Sequence, residues 1–207
     1  MIQEEVKKRK IKHIFHFTKI SNLINILEYG LLPRATLDES SLEYQANDEV
    51  RSDFCLNASC LSVSFPNYKV FYSYRMSDKA QEWVVLAFDP RVLWEKDCAF
   101  CYRNAASSEI TCIPLEHRKK PESFVGLFED FPQYPKRSVL EINDSYPTNP
   151  QAEILVFEKI EMSYLQGLLF ETPISMQTAQ KKSVINTFSC HHIKNAFYPR
   201  PDYEHWK

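Results

Sequence analysis

Glycine is scarce: the 207-residue chain has three, Gly30, Gly126 and Gly167. The dinucleotide fingerprint and the P-loop both need several glycines at fixed spacing, because only a backbone without Cβ wraps a pyrophosphate that closely. Neither can be built here, so a nucleotide would have to be held by another arrangement. No apolar run comes near the roughly 20 residues that span a bilayer, and no membrane role is expected. Charge of one sign is not in excess either. With 25 Lys+Arg against 27 Asp+Glu the formal net charge is -2, so a polyanion would have to meet a local patch, not a basic coat. No secretory leader is evident. The six cysteines, Cys55, Cys60, Cys98, Cys101, Cys112 and Cys190, lie in apolar surroundings, which favours reduced thiols and a cytoplasmic location over a disulfide frame.

What is present is a core. At 44% hydrophobic and 14% aromatic content, the chain can bury a sizeable interior as one domain over residues 1–207. A basic start runs into a strand, IFHFT, in which His16 and Thr18 share one face and Phe15 and Phe17 the other. Ile20, Leu23, Ile24 and Leu27 follow helical spacing, with Gly30 as the stop and Pro33 beyond it. Residues 34–58 are polar and weakly periodic; a loop of that length is uncommon unless it has a task. Leu61, Val63 and Phe65 alternate with Ser62 and Ser64 as a strand, PNYKVFYSYR (66–75) follows as a helix, and WVVLAFD (83–89) is a buried strand ended by Pro90. CAFCY (98–102) reads as a further strand and 115–131 as a helix with Phe124, Leu127, Phe128 and Phe131 on one side. After a proline-bounded loop come strands at 152–157 and 164–171 and a short helix at 175–182. Interspersed elements of this kind predict an α+β fold with a central mixed or antiparallel β core flanked by helices.

One acidic residue opens an otherwise apolar strand. In QAEILVF, side-chain alternation puts Gln151 and Glu153 on one face and Ala152 and Ile154 on the other. Taken alone, Glu153 suits a strand end in water. Its company suggests otherwise, because His16 with Thr18 and Ser62 with Ser64 form polar faces on two more strands, and three such faces can line one cleft.

The succession IFHFTKISNLINILEYGLLPR, NDEVR, LSVSFPNYKVFYSYR, WVVLAFDP, CAFCYRNAAS and YPTNPQAEILVF resembles the DarT family of DNA ADP-ribosyltransferases, toxins of bacterial toxin-antitoxin pairs, over roughly residues 10–170. More widely, a strand-borne Gln-x-Glu is similar to the catalytic motif of ADP-ribosylating toxins. The resemblance implies an ADP-ribosyltransferase-like fold and a reaction in which NAD is the co-substrate and no metal takes part. Glu153 is then the catalytic carboxylate. It would bond the nicotinamide ribose 2′-hydroxyl and stabilise the oxocarbenium-like charge that develops as the glycosidic bond breaks. Arg51 in NDEVR is the implied second catalytic residue. His16, Thr18 and Asn22 match the NAD-binding first strand and helix start, Ser62 would meet the nicotinamide part, and Tyr68, Phe71 or Tyr72 would stack on its ring. Read on their own, Phe71 suits a core, His16 a bonded strand histidine and Arg51 a loop charge.

The implied acceptor is a base, thymine or guanine, in single-stranded DNA. Gln151, Tyr146, Arg137 and Lys136, in and around the loop before Glu153, are the candidate contacts, and Lys7–Lys12 and Arg118–Lys120 supply local positive charge. A cognate antitoxin, either an ADP-ribosyl hydrolase or a binding protein, and a monomeric chain are also implied. Competing readings are transfer to RNA or protein, a non-catalytic nucleic-acid binder, and a zinc-stabilised module using Cys98-x-x-Cys101 with Cys112 and His117. In a strand Cys98 and Cys101 would face opposite sides as small hydrophobes, which weakens the last.

Overall fold

The computed structural model describes residues 1–47 and 53–206. Seven strands form one sheet: β1 (Ile14–Lys19), β2 (Ser59–Val63), β3 (Trp83–Phe88), β4 (Cys98–Cys101), β5 (Glu153–Val156), β6 (Leu165–Phe170) and β7 (Cys190–His192). Their order is β4-β5-β2-β1-β3-β6-β7. Every neighbouring pair is antiparallel except β6 with β7. The expected α+β fold around a mostly antiparallel core is what the chain forms.

Alternation distributes the side chains between two faces. Val84, Leu86, Phe88, Ile154, Val156, Leu168 and Phe170 point into the main core on one face. On the other face Phe15, Val85, Ala87 and Leu169 form one cluster, and Ala99, Cys101 and Leu155 form another toward the β4 end. Cys98 therefore faces the main core while Cys101 faces the opposite cluster, and the pair cannot converge on a zinc ion. Among the described residues no group of three or more His, Cys, Asp or Glu is placed to hold a metal. No helix among them is long and apolar enough to cross a membrane.

Helix α1 (Ile2–Lys8) occupies the stretch whose sequence reads as a basic tail, α2 spans Leu23–Tyr29, α3 Arg34–Asp38 and α4 Tyr68–Ser77. Gly30 ends α2 at φ 92, and a Cβ there would stand 2.9 Å from the Ile160 carbonyl oxygen. Glycine allows this approach, and Leu31 pairs with Ile160 as a β-bridge just beyond. The single helix expected over 115–131 is two, Leu115–Arg118 and Pro121–Gly126. Pro121 fits the first turn of a helix but cannot continue one. Phe131 leaves the Phe124 and Phe128 cluster and stacks on Tyr102 instead, with ring centroids 4.4 Å apart.

Candidate active site

The site exists because two neighbouring strands part. β1 pairs with β3 along its length, from Ile14↔Phe88 to Lys19↔Trp83, but with β2 only through Ile14↔Val63 and Phe15↔Ser62. Beyond Phe15 the two strands diverge, and both faces of β1 reach the gap. Backbone groups so exposed need other partners. His16 Nδ1–H donates to the Cys60 carbonyl across the gap at 2.9 Å, and the Phe17 carbonyl accepts from Asn47 Nδ2 at 2.7 Å. The cleft holds about 1320 Å³ of empty space with its open mouth included.

Glu153 is the first residue of β5 and is 8% exposed. Its carboxylate lines the cleft and is held by donors from two elements. Oε1 accepts from Asn67 Nδ2 at 3.1 Å and Asn104 Nδ2 at 3.4 Å, and Oε2 accepts from the Ala105 backbone N–H at 2.8 Å. Asn67 is in turn fixed. Its backbone N–H donates to Ser62 Oγ at 3.1 Å, and its Oδ1 accepts from the Val70 N–H at 3.3 Å, capping α4. A chain of bonds thus runs from β2 through the α4 cap to the Glu153 carboxylate.

Described residues of the long polar segment after α2, among them Leu42, Tyr44 and Gln45, line the cleft. Asn22 holds the segment at Gln45, accepting from the backbone N–H and donating to the carbonyl, both at 2.8 Å. The same Asn22 Nδ2 donates to Thr18 Oγ1 at 3.0 Å. Asn25 Nδ2 donates to the Glu43 carbonyl at 2.8 Å. Arg34, at the start of α3, is the single Lys or Arg among the described residues that line the cleft.

His16, Thr18, Asn22, Ser62 and Glu153 therefore share one cleft. Arg51 lies outside the described residues. The aromatic expectation for α4 needs correction. Phe71 is 1% exposed in the core, stacked on Phe17 at 4.4 Å, and Tyr72 is 55% exposed away from the cleft. Tyr68 is buried, its hydroxyl has no hydrogen-bond partner among the described residues, and burial pushes its pKa up to about 12. α4 presents Val70 and Tyr74 to the cleft instead, since helical spacing turns residues three and four apart the same way.

The candidate acceptor residues do not line the cleft. Gln151 precedes β5 in a turn, its backbone N–H donating to Asn149 Oδ1 at 2.8 Å, so it does not share a strand face with Glu153. Arg137 is committed to its own loop, Nη1 donating to the Tyr146 carbonyl at 2.8 Å and to Thr148 Oγ1 at 3.1 Å. Tyr146 stands edge-on to Phe65 at 5.7 Å, and Lys136 is exposed. Sequence reasoning missed Asn67, Asn104, Arg34 and Tyr74. Only Asn67 left a signal, as an asparagine beside Pro66 in the first turn of the helix predicted over 66–75.

The site is thus a buried glutamate at the head of β5, facing the cleft that opens where β1 and β2 part. A family model described as "ssDNA thymidine ADP-ribosyltransferase, DarT" matches residues 15–205, and the chain belongs to the DarT family. That family is described as one of ADP-ribosyltransferases acting on single-stranded DNA. A comparison with curated proteins finds no match. The fold is similar to that of Thermus sp. 2.9 DarT in complex with carba-NAD+, with TM-score 0.63 and 14% identity over 91% of this chain and 99% of that one. It is likewise similar to the same Thermus protein in complex with ADP-ribosylated ssDNA, at TM-score 0.62, 14% identity and coverage of 91% and 97%. Thermosipho africanus DarTG in complex with ADP-ribose matches at TM-score 0.63 and 16% identity over 90% of this chain. The chain spans 51% of that protein's length.

Proposed function

We propose that the cleft binds NAD and that Glu153 directs transfer of its ADP-ribose to thymidine in single-stranded DNA, releasing nicotinamide. The observation that carries this reading is the buried Glu153 carboxylate, aimed into the cleft by Asn67, Asn104 and Ala105. A carboxylate fixed in this way meets the ribose 2′-hydroxyl without reorganising, and it stabilises positive charge most where that charge develops. Arg34 supplies a guanidinium for the pyrophosphate, which a fork of N–H donors suits without any glycine-rich loop. Phe17 and Tyr74, with ring centroids 6.2 Å apart, offer an aromatic wall for a flat ring. The family resemblance makes Arg51 the second catalytic residue of this reading.

The reaction breaks the bond between ribose C1′ and the nicotinamide nitrogen and forms one from C1′ to the base. In this reading the acceptor is thymine N3, since the other ring nitrogen carries the deoxyribose, and the N3 proton leaves as the bond forms. Glu153 is the acid–base group at hand. Single-stranded DNA presents that edge without opening a duplex.

We further propose that the chain acts as one domain and one monomer in the cytoplasm, beside a cognate antitoxin that hydrolyses the mark or binds the toxin. The name DarTG and the greater length of the Thermosipho protein support such pairing. The direct test is NAD-dependent mass gain on single-stranded oligonucleotides each lacking one base. One ADP-ribose should be added only where thymine is present, and Glu153→Gln should lose at least a hundredfold in rate. Modification of thymine-free DNA, or an active Glu153→Gln, would overturn the assignment.

A further inference from the structure

The turn that delivers Glu153 is gripped from the far end of the chain. The carbonyls of Tyr146, Pro147 and Thr148 each accept from a guanidinium: Arg137 Nη1 at 2.8 Å, Arg200 Nη1 at 2.7 Å and Arg200 Nη2 at 3.0 Å. Arg200 is set by a fork on Asp202, Nε to Oδ1 and Nη2 to Oδ2, both at 2.6 Å. The two side chains are 1% and 0% exposed. Asp202 Oδ2 also accepts from Trp206 Nε1 at 2.7 Å. A pair so buried gives little net stability over an apolar replacement, so its value has to be sought in the geometry it imposes.

That geometry leads to Glu153 by two routes. Along the chain, Thr148 and Asn149 are fully buried, and the Ala152 N–H closes back on the Asn149 carbonyl at 3.1 Å, directly before β5. Across space, the Tyr146 ring leans on Phe65, two residues before the Asn67 that bonds Glu153. The segment carrying Arg200 is tied to α4 as well, through Lys69 Nζ to the Trp206 carbonyl and Arg75 Nη1 to the Phe197 carbonyl. Neither Arg200 nor Asp202 lines the cleft.

We propose that Arg200, fixed by Asp202, is a positioning residue for the transfer step. It sets the turn before Glu153, and through it the carboxylate and the acceptor side of the site, without contacting NAD. The proposal rests on the reading of the chain as an ADP-ribosyltransferase. The test uses the whole chain and Arg200→Lys, which keeps the charge and stem but loses the fork. Arg200→Lys should bind NAD within twofold of the wild type by calorimetry, while kcat on a thymine-containing oligonucleotide at saturating substrates falls at least tenfold. Arg200→Ala should be slower still, and millimolar guanidinium should restore part of its kcat where methylammonium does not. Arg200→Lys with full kcat overturns the proposal alone. So does a parallel fall of kcat, NAD affinity and folded fraction, with no guanidinium rescue, which marks a purely structural pair. A wild-type chain that binds NAD yet modifies no oligonucleotide overturns the functional reading, and the positioning role with it.

Discussion

Asn67 Nδ2 stands 3.1 Å from Glu153 Oε1 while Oδ1 of the same amide caps α4, so one side chain both starts a helix and holds the buried Glu153 carboxylate. The amide's two ends are divided between the two duties, Oδ1 to the helix and Nδ2 to the carboxylate.

The two duties can be separated. Asn67→Ser retains an N-cap acceptor but no donor that reaches Glu153, whereas Asn67→Ala loses both. Asn67→Ala should cost about 1 kcal/mol of stability, in the range of lost N-caps. Asn67→Ser should cost little, yet both should lower kcat for ADP-ribosyl transfer by roughly tenfold, about the loss of one hydrogen bond to a charged group. Urea titration alongside single-turnover transfer checks this; a fully active Asn67→Ser would show that Asn104 and Ala105 suffice to place the carboxylate.

The reassignment of the α4 aromatics makes an equally concrete prediction. Phe71 is enclosed by Phe17, Trp83 and Phe197, so Phe71→Ala should destabilise the fold by about 3–5 kcal/mol. Tyr72→Ala should fall within about 0.5 kcal/mol of the wild type. Tyr74→Ala should weaken NAD binding with a smaller effect on folding. Thermal melts with and without NAD distinguish the three, and a Tyr72 variant that lost NAD binding would contradict the helix orientation.

These corrections show what periodicity conveys. Alternating Val84, Leu86 and Phe88 against Val85 and Ala87 gives a strand and its two faces from one residue type alone, because each face is apolar. The same reasoning found His16, Thr18, Ser62 and Glu153, since a polar residue on a strand otherwise bound for the core needs a reason. It failed for Gln151, where Asn149 draws the backbone into a turn and β5 begins two residues later than alternation assumes. It failed again on α4, where Tyr68, Phe71, Tyr72 and Tyr74 are all aromatic and no pattern says which is core. Arg200 and Asp202 were invisible because a buried ion pair is defined by its partner at Pro147 and Thr148, some fifty positions away. β7 was missed for a similar reason: its parallel pairing to β6 is a long-range choice.

Arg34 gives a test of how NAD is held without glycines. Its side chain is 23% exposed, with Asp38 Oδ2 3.9 Å from Nε. Charge-assisted bonds contribute about 1.5–3 kcal/mol, so Arg34→Ala should weaken NAD binding by roughly ten- to a hundredfold, with a smaller change in kcat once NAD saturates. Arg34→Lys should recover only part, having the charge but not the fork. Calorimetry of NAD binding decides; affinity unchanged in Arg34→Ala would move the pyrophosphate elsewhere along the cleft.

Cys98 and Cys101 predict how stability responds to alkali. Burial pushes each thiol from 9.0 up to about 12. In the unfolded chain both ionise near 9.0, whereas in the folded chain both keep their protons. The folded state therefore holds more protons than the unfolded one between about pH 9 and 12, and unfolding free energy falls as pH rises through that window. Below it the contribution is fully present. Urea midpoints at pH 8 and pH 10 should drop by more in the wild type than in a Cys98→Ala/Cys101→Ala chain, the difference between the two removing the lysines and tyrosines common to both. The buried thiols should also resist alkylation at pH 8 while exposed Cys112 reacts. Equal pH slopes in the two chains would mean that the cysteines ionise alike folded and unfolded, against the packing of β4 between its two apolar clusters.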